Sequence, residues 1–361
     1  MFKVERVFNF SPGPSMMPLP VLEKAQKDLV CFGSAGMSVM EMSHRSKMYQ
    51  EIFDRTSALL REIMSIPDDY EVLFLQGGAT MQFSAVPLNL MSGGKADYID
   101  SGNFAHLAAE EAKRFGTVNT VASSREDTYS YVPDVHNIKF SPDADYVHIT
   151  SNNTIYGTRY SELPQTAAPL VTDASSMILS EVMDVKRFGV IYAGAQKNIG
   201  PSGLCVVIVR KDLIGHARAD CPILLNWEVQ AKAGSMHNTP NTWGIYIAGL
   251  TFEWVKESGG VKAMEEINKR KAAMLYEYLD NSRLFKPTAA KKDRSRMNVT
   301  FKTGDEEKDA AFVKAAAAEG LVNLKGHRSV GGMRASIYNA MPVEGVQKLV
   351  DFMKKFETQN A

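Results

Sequence analysis

The sequence predicts an α/β fold with a large domain built on a mostly parallel sheet and a smaller C-terminal α+β domain. Short apolar runs alternate with longer amphipathic stretches through residues 46–258, which is typical of strands joined by helical crossovers. The alternation resumes in a shorter segment after a Ser-Gly-Gly turn. A chain of 361 residues is also long for a single hydrophobic core. We therefore predict an N-terminal arm at 1–15, a large domain at 16–258 and a small domain at 259–361.

Composition and charge describe an ordinary globular protein, with 45% hydrophobic and 23% charged residues. Lys plus Arg and Asp plus Glu both number 41, so no net charge attracts nucleic acid or an anionic membrane. No apolar run reaches the ~20 residues that a membrane span requires. The three cysteines share no CxxC spacing, and no apolar signal segment opens the chain. These features predict a cytoplasmic protein without a metal site.

The chain before the first predicted strand contains a candidate anion site. Residues 9–14 make a rigid, non-helical start, and residues 18–32 have helical spacing. The following loop, rich in Gly, Ser and Met, ends with His44 and Arg45 side by side. Such a pair in a flexible loop can bind an anion, although on its own it is more often simply solvated. Residues 46–66 then predict an amphipathic helix.

A glycine turn separates the first buried strand, predicted at residues 72–75, from a helix at 81–90. Its sequence is Gln76-Gly77-Gly78-Ala79-Thr80. A strand, a glycine turn and a helix in this order point free backbone N–H groups at a bound phosphate. The turn matches neither a P-loop nor GxGxxG, and two glycines are common in βα turns, so this signal is weak by itself.

Three polar residues, Thr154, Asp173 and Lys197, each follow a predicted strand further along the chain. The helix of this region is predicted at 104–115, and its strands at 96–100, 118–122, 146–150, 170–172, 190–192 and 204–209. Ligands of parallel sheets bind beyond the carboxyl ends of the strands. An aspartate there is usually a cap or turn residue. Together with the glycine turn, however, these residues make four candidates that each directly follow a predicted strand. This common position favours a shared ligand.

Lys197 is the residue on which the candidate site depends. Small residues connect it to the preceding strand. The residues that follow it, Asn-Ile-Gly-Pro-Ser-Gly, cannot form a regular helix. The small neighbours let a cofactor approach the backbone, and Gln196 can hydrogen-bond an oxyanion. A lysine confined in this way suits Schiff-base chemistry, which needs an amine held near a carbonyl and partly desolvated. On spacing alone, a surface lysine in a turn is the commoner explanation.

The C-terminal part of the chain predicts a smaller α+β arrangement. A helix predicted at 243–256 is the last element of the large domain. Beyond the Ser-Gly-Gly turn, helices are predicted at 261–280, 306–319 and 343–356, and strands at 298–301 and 333–338. His327 and Arg328 precede the last strand, and Arg334 lies inside it, after Gly331-Gly332. Basic residues are unusual in the interior of a core strand. This segment therefore stands out from ordinary core sequence.

The surroundings of Lys197, the position of Asp173 and residues 326–340 together resemble the phosphoserine aminotransferase family. Its members are class V, fold-type I enzymes that use pyridoxal 5′-phosphate. The similarity extends from Asn9-Phe10 to Val343-Glu344-Gly345, nearly the whole chain. The resemblance implies transamination of 3-phosphohydroxypyruvate by L-glutamate, giving O-phospho-L-serine and 2-oxoglutarate for serine biosynthesis. It leaves open whether the related phosphorylated substrate of vitamin B6 biosynthesis is also used.

The resemblance also implies the residues that contact the cofactor. Lys197 would hold it through a Schiff base, and Asp173 would pair with the protonated pyridine nitrogen. Backbone N–H groups of Gly78 and Ala79, assisted by Gln196, would bind its phosphate. Further implied contacts are Thr154 near the ring hydroxyl, Phe104 on the ring face, and Asn238 and Thr239 reaching the phosphate from the other subunit. The family usually stacks a tryptophan on the ring; phenylalanine keeps an aromatic face, so we expect the stack to survive.

Basic residues would hold the doubly anionic substrate, according to the same resemblance. Arg334 would bind the carboxylate through two parallel hydrogen bonds, which a planar guanidinium favours. His44, Arg45, His327 and Arg328 would receive the phosphate or the side-chain carboxylate of glutamate. His44 and Arg45 would come from the partner subunit, which implies a homodimer with shared active sites. Two substrates using one site in turn imply ping-pong kinetics.

The alternatives are another class V enzyme or a non-catalytic protein on the same fold. The basic pair at 327–328 argues for a phosphorylated substrate and against a serine–glyoxylate aminotransferase. A cysteine desulfurase needs a mobile reactive cysteine and typically a histidine before the lysine. Here Gln196 precedes the lysine, and the C-terminal third has no cysteine. A regulatory or scaffold protein should lack the lysine, the aspartate or the substrate arginines, and all are present.

Overall fold

The computed structural model describes residues 6–360, so the first five residues of the predicted N-terminal arm and residue 361 lie outside it. The strands are β1 (Phe8–Asn9), β2 (Tyr70–Gln76), β3 (Lys95–Asp100), β4 (Thr117–Ser123), β5 (Val147–Thr150), β6 (Asn152–Asn153), β7 (Thr158–Arg159), β8 (Leu170–Asp173), β9 (Val190–Gly194), β10 (Leu204–Arg210), β11 (Lys286–Pro287), β12 (Asn298–Lys302), β13 (Leu321–Val322) and β14 (Met333–Ser336). The helices are α1 (Leu19–Asp28), α2 (Lys47–Met64), α3 (Ala79–Leu90), α4 (Asn103–Ala112), α5 (Trp227–Lys232), α6 (Thr242–Glu257), α7 (Gly260–Asn281), α8 (Glu306–Ala318) and α9 (Val343–Asn360).

A seven-stranded sheet in the order β2-β10-β9-β8-β5-β3-β4 forms the centre of the fold. The pairs from β9 to β4 are parallel, which confirms the predicted mostly parallel sheet. Strand β10 is antiparallel to both of its neighbours. The segment between β9 and β10 contains Lys197 and is too short for a helical crossover, so the chain reverses direction there.

Apolar side chains cover both faces of this sheet. Along β10, Val206 and Ile208 belong to one buried cluster with α2 and α6, whereas Cys205 and Val207 belong to another with α3 and α4. This alternation explains why the strands appear in the sequence as continuous apolar runs. Because apolar side chains pack on both faces of the sheet, a polar site can form only at its edges. The carboxyl ends of the parallel strands are the edge where ligands of such sheets bind.

A second core lies in the C-terminal part, where β11, β12 and β14 form an antiparallel sheet. Strand β1 joins this part by pairing in parallel with β13, and Phe10 is buried in its core. Helix α7 contributes Val261 to the first core and Leu275 to the second. The domain division at residues 258–260 therefore stays a prediction.

The predicted helices all form, with ends that differ by a few residues. Ser46 caps α2 by accepting a hydrogen bond from the Tyr49 N–H, as an N-cap serine should. The short elements β1, β6, β7, β11, β13 and α5 were not predicted, because two to six residues carry too little periodicity. No helix of residues 6–360 is both long and apolar enough to cross a membrane.

Candidate active site

Lys197 lies at the carboxyl edge of the sheet, in the connection between β9 and β10. Its Nζ donates a hydrogen bond to Thr154 Oγ1 at 2.7 Å. Burial lowers the pKa of the amine from its ordinary value to about 8; the Asp173 carboxylate opposes this decrease and the Arg334 guanidinium adds to it. The amine therefore loses its proton much more easily near neutral pH than an ordinary lysine does, as a nucleophile or a general base requires.

Asp173 is the last residue of β8 and is held on both its backbone and its side chain. Its carbonyl accepts hydrogen bonds from Ser151 N and Oγ, at 3.0 and 3.1 Å. Its Oδ1 accepts the N–H of Ser175 at 2.9 Å. Within residues 6–360 its Oδ2 has no hydrogen-bond partner. The site thus contains a fixed carboxylate with one oxygen free to accept a proton donor from a ligand.

The glycine turn before α3 has the geometry of an anion site. Gly77 has a φ of +94°, which glycine adopts without strain, and Gly78 is the extended N-cap of this 12-residue helix. No atom lies within 4 Å of the position that a Cβ on Gly78 would occupy. The first N–H groups of α3, beginning with Ala79, have no acceptor inside the helix. These groups can therefore hold a phosphate.

The segment containing Asn238 and Thr239 lies beside the same turn, and both residues are exposed. Gln76 Nε2 donates to the Thr239 carbonyl at 2.6 Å. Asn238, Gln76 and Gly77 line one cavity of about 280 Å³. The structure therefore places this segment at the glycine turn of its own chain, on an exposed edge.

Arg334 lies in β14 and is buried against the large sheet. Its Nη1 donates to the Thr154 carbonyl at 3.1 Å, while its buried Nε has no partner among residues 6–360. Burial lowers the pKa of this guanidinium, which Tyr338 opposes. A buried donor without a partner is costly, and a ligand carboxylate would supply its acceptor. Thr154 thus contacts both groups: its hydroxyl accepts from the Lys197 amine, and its backbone carbonyl accepts from the Arg334 guanidinium.

The loop at residues 326–332 places His327 near Arg334. Burial lowers the pKa of His327, and the nearby positive charges of Arg334 and Arg328 lower it further. The base of the loop closes through Gly326 N and Gly332 O at 2.8 Å. A Cβ on Gly326 would lie only 2.1 Å from the Gly331 carbonyl, so this close approach requires glycine. An anion bound here would offset the crowded positive charge.

An aromatic wall borders the site on the side of α4. The Phe104 ring centroid is 5.6 Å from Lys197 Nζ, within the range of a cation–π contact. Phe104 and Val330 pack on a buried cluster of Tyr129, Ile155 and Tyr156. Phe104 thus lies beside Lys197, and its stacking on the cofactor ring stays a prediction. Tyr129 and Val330 cannot be predicted from the sequence, because a single aromatic or aliphatic residue in a loop carries no positional signal.

Four of the predicted site residues have few contacts of their own. His44 is half-buried and Arg45 and Arg328 are exposed. Within residues 6–360, none of these three side chains makes a hydrogen bond or an ion pair. Gln196 is adjacent to Lys197 and half-buried, likewise without a side-chain hydrogen bond in the described chain. The roles of these residues stay predictions.

The assembled groups fit pyridoxal 5′-phosphate, the cofactor that the resemblance implies. Lys197 offers a partly neutral amine, and Asp173 offers a free carboxylate oxygen. Phe104 offers a ring face, and the open N-terminus of α3 offers N–H donors for a phosphate. The orphaned Nε of Arg334 suits the carboxylate of an amino-acid substrate. No group of three or more His, Cys, Asp or Glu side chains among residues 6–360 is placed to bind a metal ion.

Known proteins resemble this chain along its full length. The family described as aminotransferase class-V matches residues 7–349. A phosphoserine aminotransferase of Bacillus cereus is 54% identical over 99% of this chain and 100% of the relative. Solved structures of phosphoserine aminotransferases include one from Bacillus circulans subsp. alkalophilus, with a TM-score of 0.97, 42% identity and coverage of 99% and 100% of the two chains. Another, with bound PLP, from Trichomonas vaginalis has a TM-score of 0.94, 40% identity and coverage of 97% and 100%.

Proposed function

The chain belongs to the class-V aminotransferases and, within them, to the phosphoserine aminotransferases, and on this basis we propose that the Lys197 site performs the complete reaction. The reaction is the pyridoxal-phosphate-dependent transfer of an amino group from L-glutamate to 3-phosphohydroxypyruvate, yielding 2-oxoglutarate and O-phospho-L-serine for serine biosynthesis. One observation carries the assignment of this site. Thr154 contacts the amine of Lys197 through its hydroxyl and the guanidinium of Arg334 through its carbonyl.

The residues of the site divide the chemistry between them. When bound, pyridoxal phosphate supplies an electron sink that stabilises negative charge on the substrate Cα. Lys197 Nζ would hold the cofactor until the substrate amine displaces it, and the freed amine then takes the Cα proton as a general base and later returns a proton as a general acid. Asp173 Oδ2 keeps a proton on the ring nitrogen. Arg334 fixes the substrate carboxylate through its free Nε and so aligns the Cα–H bond with the amine.

The phosphorylated end of the substrate is assigned to His327 and Arg328, together with His44 and Arg45 of a second subunit. Support comes from the charge at this end: the pKa of His327 is lowered partly by Arg334 and Arg328, so a dianion placed there relieves positive repulsion. The side-chain carboxylate of glutamate would occupy the same place. Gly78, Ala79 and Gln196 are assigned to the cofactor phosphate, with Asn238 and Thr239 of the second subunit.

A homodimer with shared active sites follows from the same assignment. His44 and Arg45 have no partners within the described chain, and exposed methionines surround them in the sequence: Met37, Met40 and Met48. Three exposed methionines this close in sequence support a subunit contact in this segment. Asn238 lies beside the glycine turn of its own chain. In a two-fold dimer whose two glycine turns lie near the axis, the turn of the second subunit is close by, and Asn238 then reaches it. The free cysteines, Cys31, Cys205 and Cys221, support a cytoplasmic location.

The two half-reactions can be observed separately. We expect the yellow, cofactor-loaded enzyme to lose its visible absorption band with L-glutamate, because the amino group passes to the cofactor. The band should return with 3-phosphohydroxypyruvate, which takes the amino group away. Stopped-flow absorbance of each half-reaction is the measurement, and hydroxypyruvate is the matched control without the phosphate. If only the unphosphorylated keto acid restores the band, the substrate assignment is wrong; if no band exists, the cofactor assignment is wrong.

Subunit mixing tests the shared site. We expect co-expressed Lys197→Ala and Arg45→Ala subunits to regain up to about a quarter of wild-type activity, because one site of each heterodimer then has both residues. Steady-state transamination of the purified mixture is the measurement. Lys197→Ala mixed with Asp173→Ala is the matched control, since both residues belong to one subunit's site and no intact site can form. Activity no higher than that of Arg45→Ala alone would show that Arg45 acts in its own subunit or outside the site.

A further inference from the structure

Residues 9–15, which we call the N-terminal strap, cross the loop that carries Lys197. Ser15 N donates to the Gln196 carbonyl at 3.0 Å, and Ser15 Oγ donates to the Lys197 carbonyl at 2.5 Å. These two carbonyls belong to the peptide groups on either side of the Lys197 Cα. One serine therefore holds both peptide groups from which the lysine side chain projects.

Gly13 brings the strap into contact with the side chains as well. Its φ is +141°, a conformation that favours glycine, and it lies between two prolines whose own φ angles are fixed by their rings. A Cβ on Gly13 would lie 3.4 Å from Cγ of both Gln196 and Lys197. The strap thus lies directly on the first part of the lysine side chain. A Cβ there would make an ordinary van der Waals contact, so the strain of a substitution comes from the φ of Gly13.

The other end of the strap is fixed to the C-terminal part of the chain. Asn9 Oδ1 accepts a hydrogen bond from Asn323 at 2.9 Å, beside the pairing of β1 with β13. The Phe10 carbonyl accepts Ser336 N at 3.2 Å, and the Pro12 carbonyl accepts the Tyr338 hydroxyl at 2.7 Å. Ser336 lies in β14, the strand that contains Arg334. The strap therefore connects the strand of the substrate arginine with the loop of the lysine.

We propose that Ser15 is a positioning residue for Lys197 and that the strap sets the distance between the lysine amine and Arg334. This inference rests on the proposed function for the role of Lys197. A lysine side chain has four rotatable bonds, and its amine can therefore take many positions. The hydrogen bond from Lys197 Nζ to Thr154 is kept only while the Lys197 Cα and both flanking peptide groups are fixed. Small displacements of a reacting group reduce the rate strongly, with about a hundredfold loss for a displacement of about 1 Å.

The first test compares three serine variants. Ser15→Ala removes the bond to the Lys197 carbonyl and keeps the backbone bond to Gln196, so we expect kcat to fall about tenfold with little change in KM. Ser15→Thr keeps a hydroxyl and should restore most of the rate. Ser258→Ala is the matched control, because Ser258 is also half-buried and donates to a backbone carbonyl, that of Trp254 at 2.7 Å, away from the site. Thermal unfolding of all three variants shows whether the fold is kept.

The second test measures the amine without the cofactor. In the apoenzyme, reductive methylation of Lys197 at different pH values, followed by peptide mass spectrometry, should have a midpoint near 8 in the wild type. Asp173 and Arg334 are the charges that face this amine. In Ser15→Ala the amine moves toward water, so we expect the midpoint to rise by about half a unit or more toward the ordinary lysine value.

The proposal requires both changes, a lower kcat and a higher midpoint, with Ser258→Ala unchanged in both. A Ser15→Ala enzyme within twofold of wild type, or one whose midpoint stays near 8, overturns it. A fall in kcat that Ser15→Thr does not reverse also overturns it, because the hydroxyl would then not be the cause. Since the methylation midpoint needs neither cofactor nor substrate, its outcome separates a failure of this inference from a failure of the proposed function.

Discussion

Replacing Lys197 with alanine will abolish transamination, with a loss in kcat of at least about 10⁴-fold. The variant loses the covalent hold on the cofactor and the group that moves the Cα proton, and no second amine takes its place. The hydroxyl of Thr154 loses its partner at 2.7 Å, but Asp173, Phe104 and Arg334 remain. We therefore expect cofactor and substrate still to bind, without turnover. Single-turnover absorbance with L-glutamate and thermal unfolding of the same samples are the measurements.

Lys271 provides the matched control for this variant. It is also a buried lysine, and burial lowers its pKa to about 7, but its Nζ donates to the carbonyls of Ile337, Tyr338 and Met341 at 3.0, 2.8 and 3.0 Å. Lys271→Met leaves these carbonyls without their donor and should reduce the free energy of unfolding by about 3 kcal/mol. The folded fraction should keep its kcat. Appreciable transamination by Lys197→Ala would contradict the assigned role of Lys197.

Arg334→Lys will lower kcat/KM by about 10³-fold for both L-glutamate and 3-phosphohydroxypyruvate. The ammonium of lysine is a point charge that cannot form two parallel bonds to a carboxylate, and it lacks the Nε that has no partner in the structure. The bond from Nη1 to the Thr154 carbonyl is lost as well, so the residue that contacts Lys197 is less well fixed. Both substrates carry the α-carboxylate, and both half-reactions should therefore slow together.

Rates of the two half-reactions, measured separately over a range of substrate concentrations, decide this prediction. Arg294→Lys is the matched control: Arg294 also has an Nε without a partner, but its Nη1 and Nη2 bind Asp280 at 2.9 and 2.6 Å, outside the site. We expect the control to keep wild-type rates. If Arg334→Lys slowed only the reaction with the phosphorylated substrate, Arg334 would bind the phosphate and the carboxylate would need another partner.

The sequence predicted the parts of the site whose chemistry depends on residue type and position relative to a strand. Asp173 and Lys197 follow buried apolar strands, and parallel strands bring such positions to one edge. Arg334 was noticeable because a basic residue interrupts an apolar strand. In the structure Thr154 contacts both Lys197 and Arg334, and the Asp173 carboxylate is a charge near the same amine. The roles assigned to these residues stay predictions.

The parts that escaped prediction depend on contacts between distant segments. Residues 9–14 predict only a rigid start, and nothing local in Ser15 shows that it donates to the Lys197 carbonyl. Tyr129 is a second example: its ring contacts Tyr156 and its hydroxyl donates to Asp100. It lies in a loop whose sequence has no periodicity, so nothing in the sequence indicates these contacts. Short strands such as β1 form because a partner strand is available, and their sequence carries no signal of it.

The pairing of β1 with β13 also determines when the site can be completed during synthesis. The contact between Asn9 and Asn323 spans 314 positions, so the N-terminal segment leaves the ribosome long before its partner exists. Closing so long a loop comes late, after the local helices and the parallel sheet can form. Until then the carbonyls beside Lys197 lack the donor that Ser15 provides. A nascent chain stalled before residue 321 is therefore expected to contain the sheet and the lysine but no ordered lysine loop.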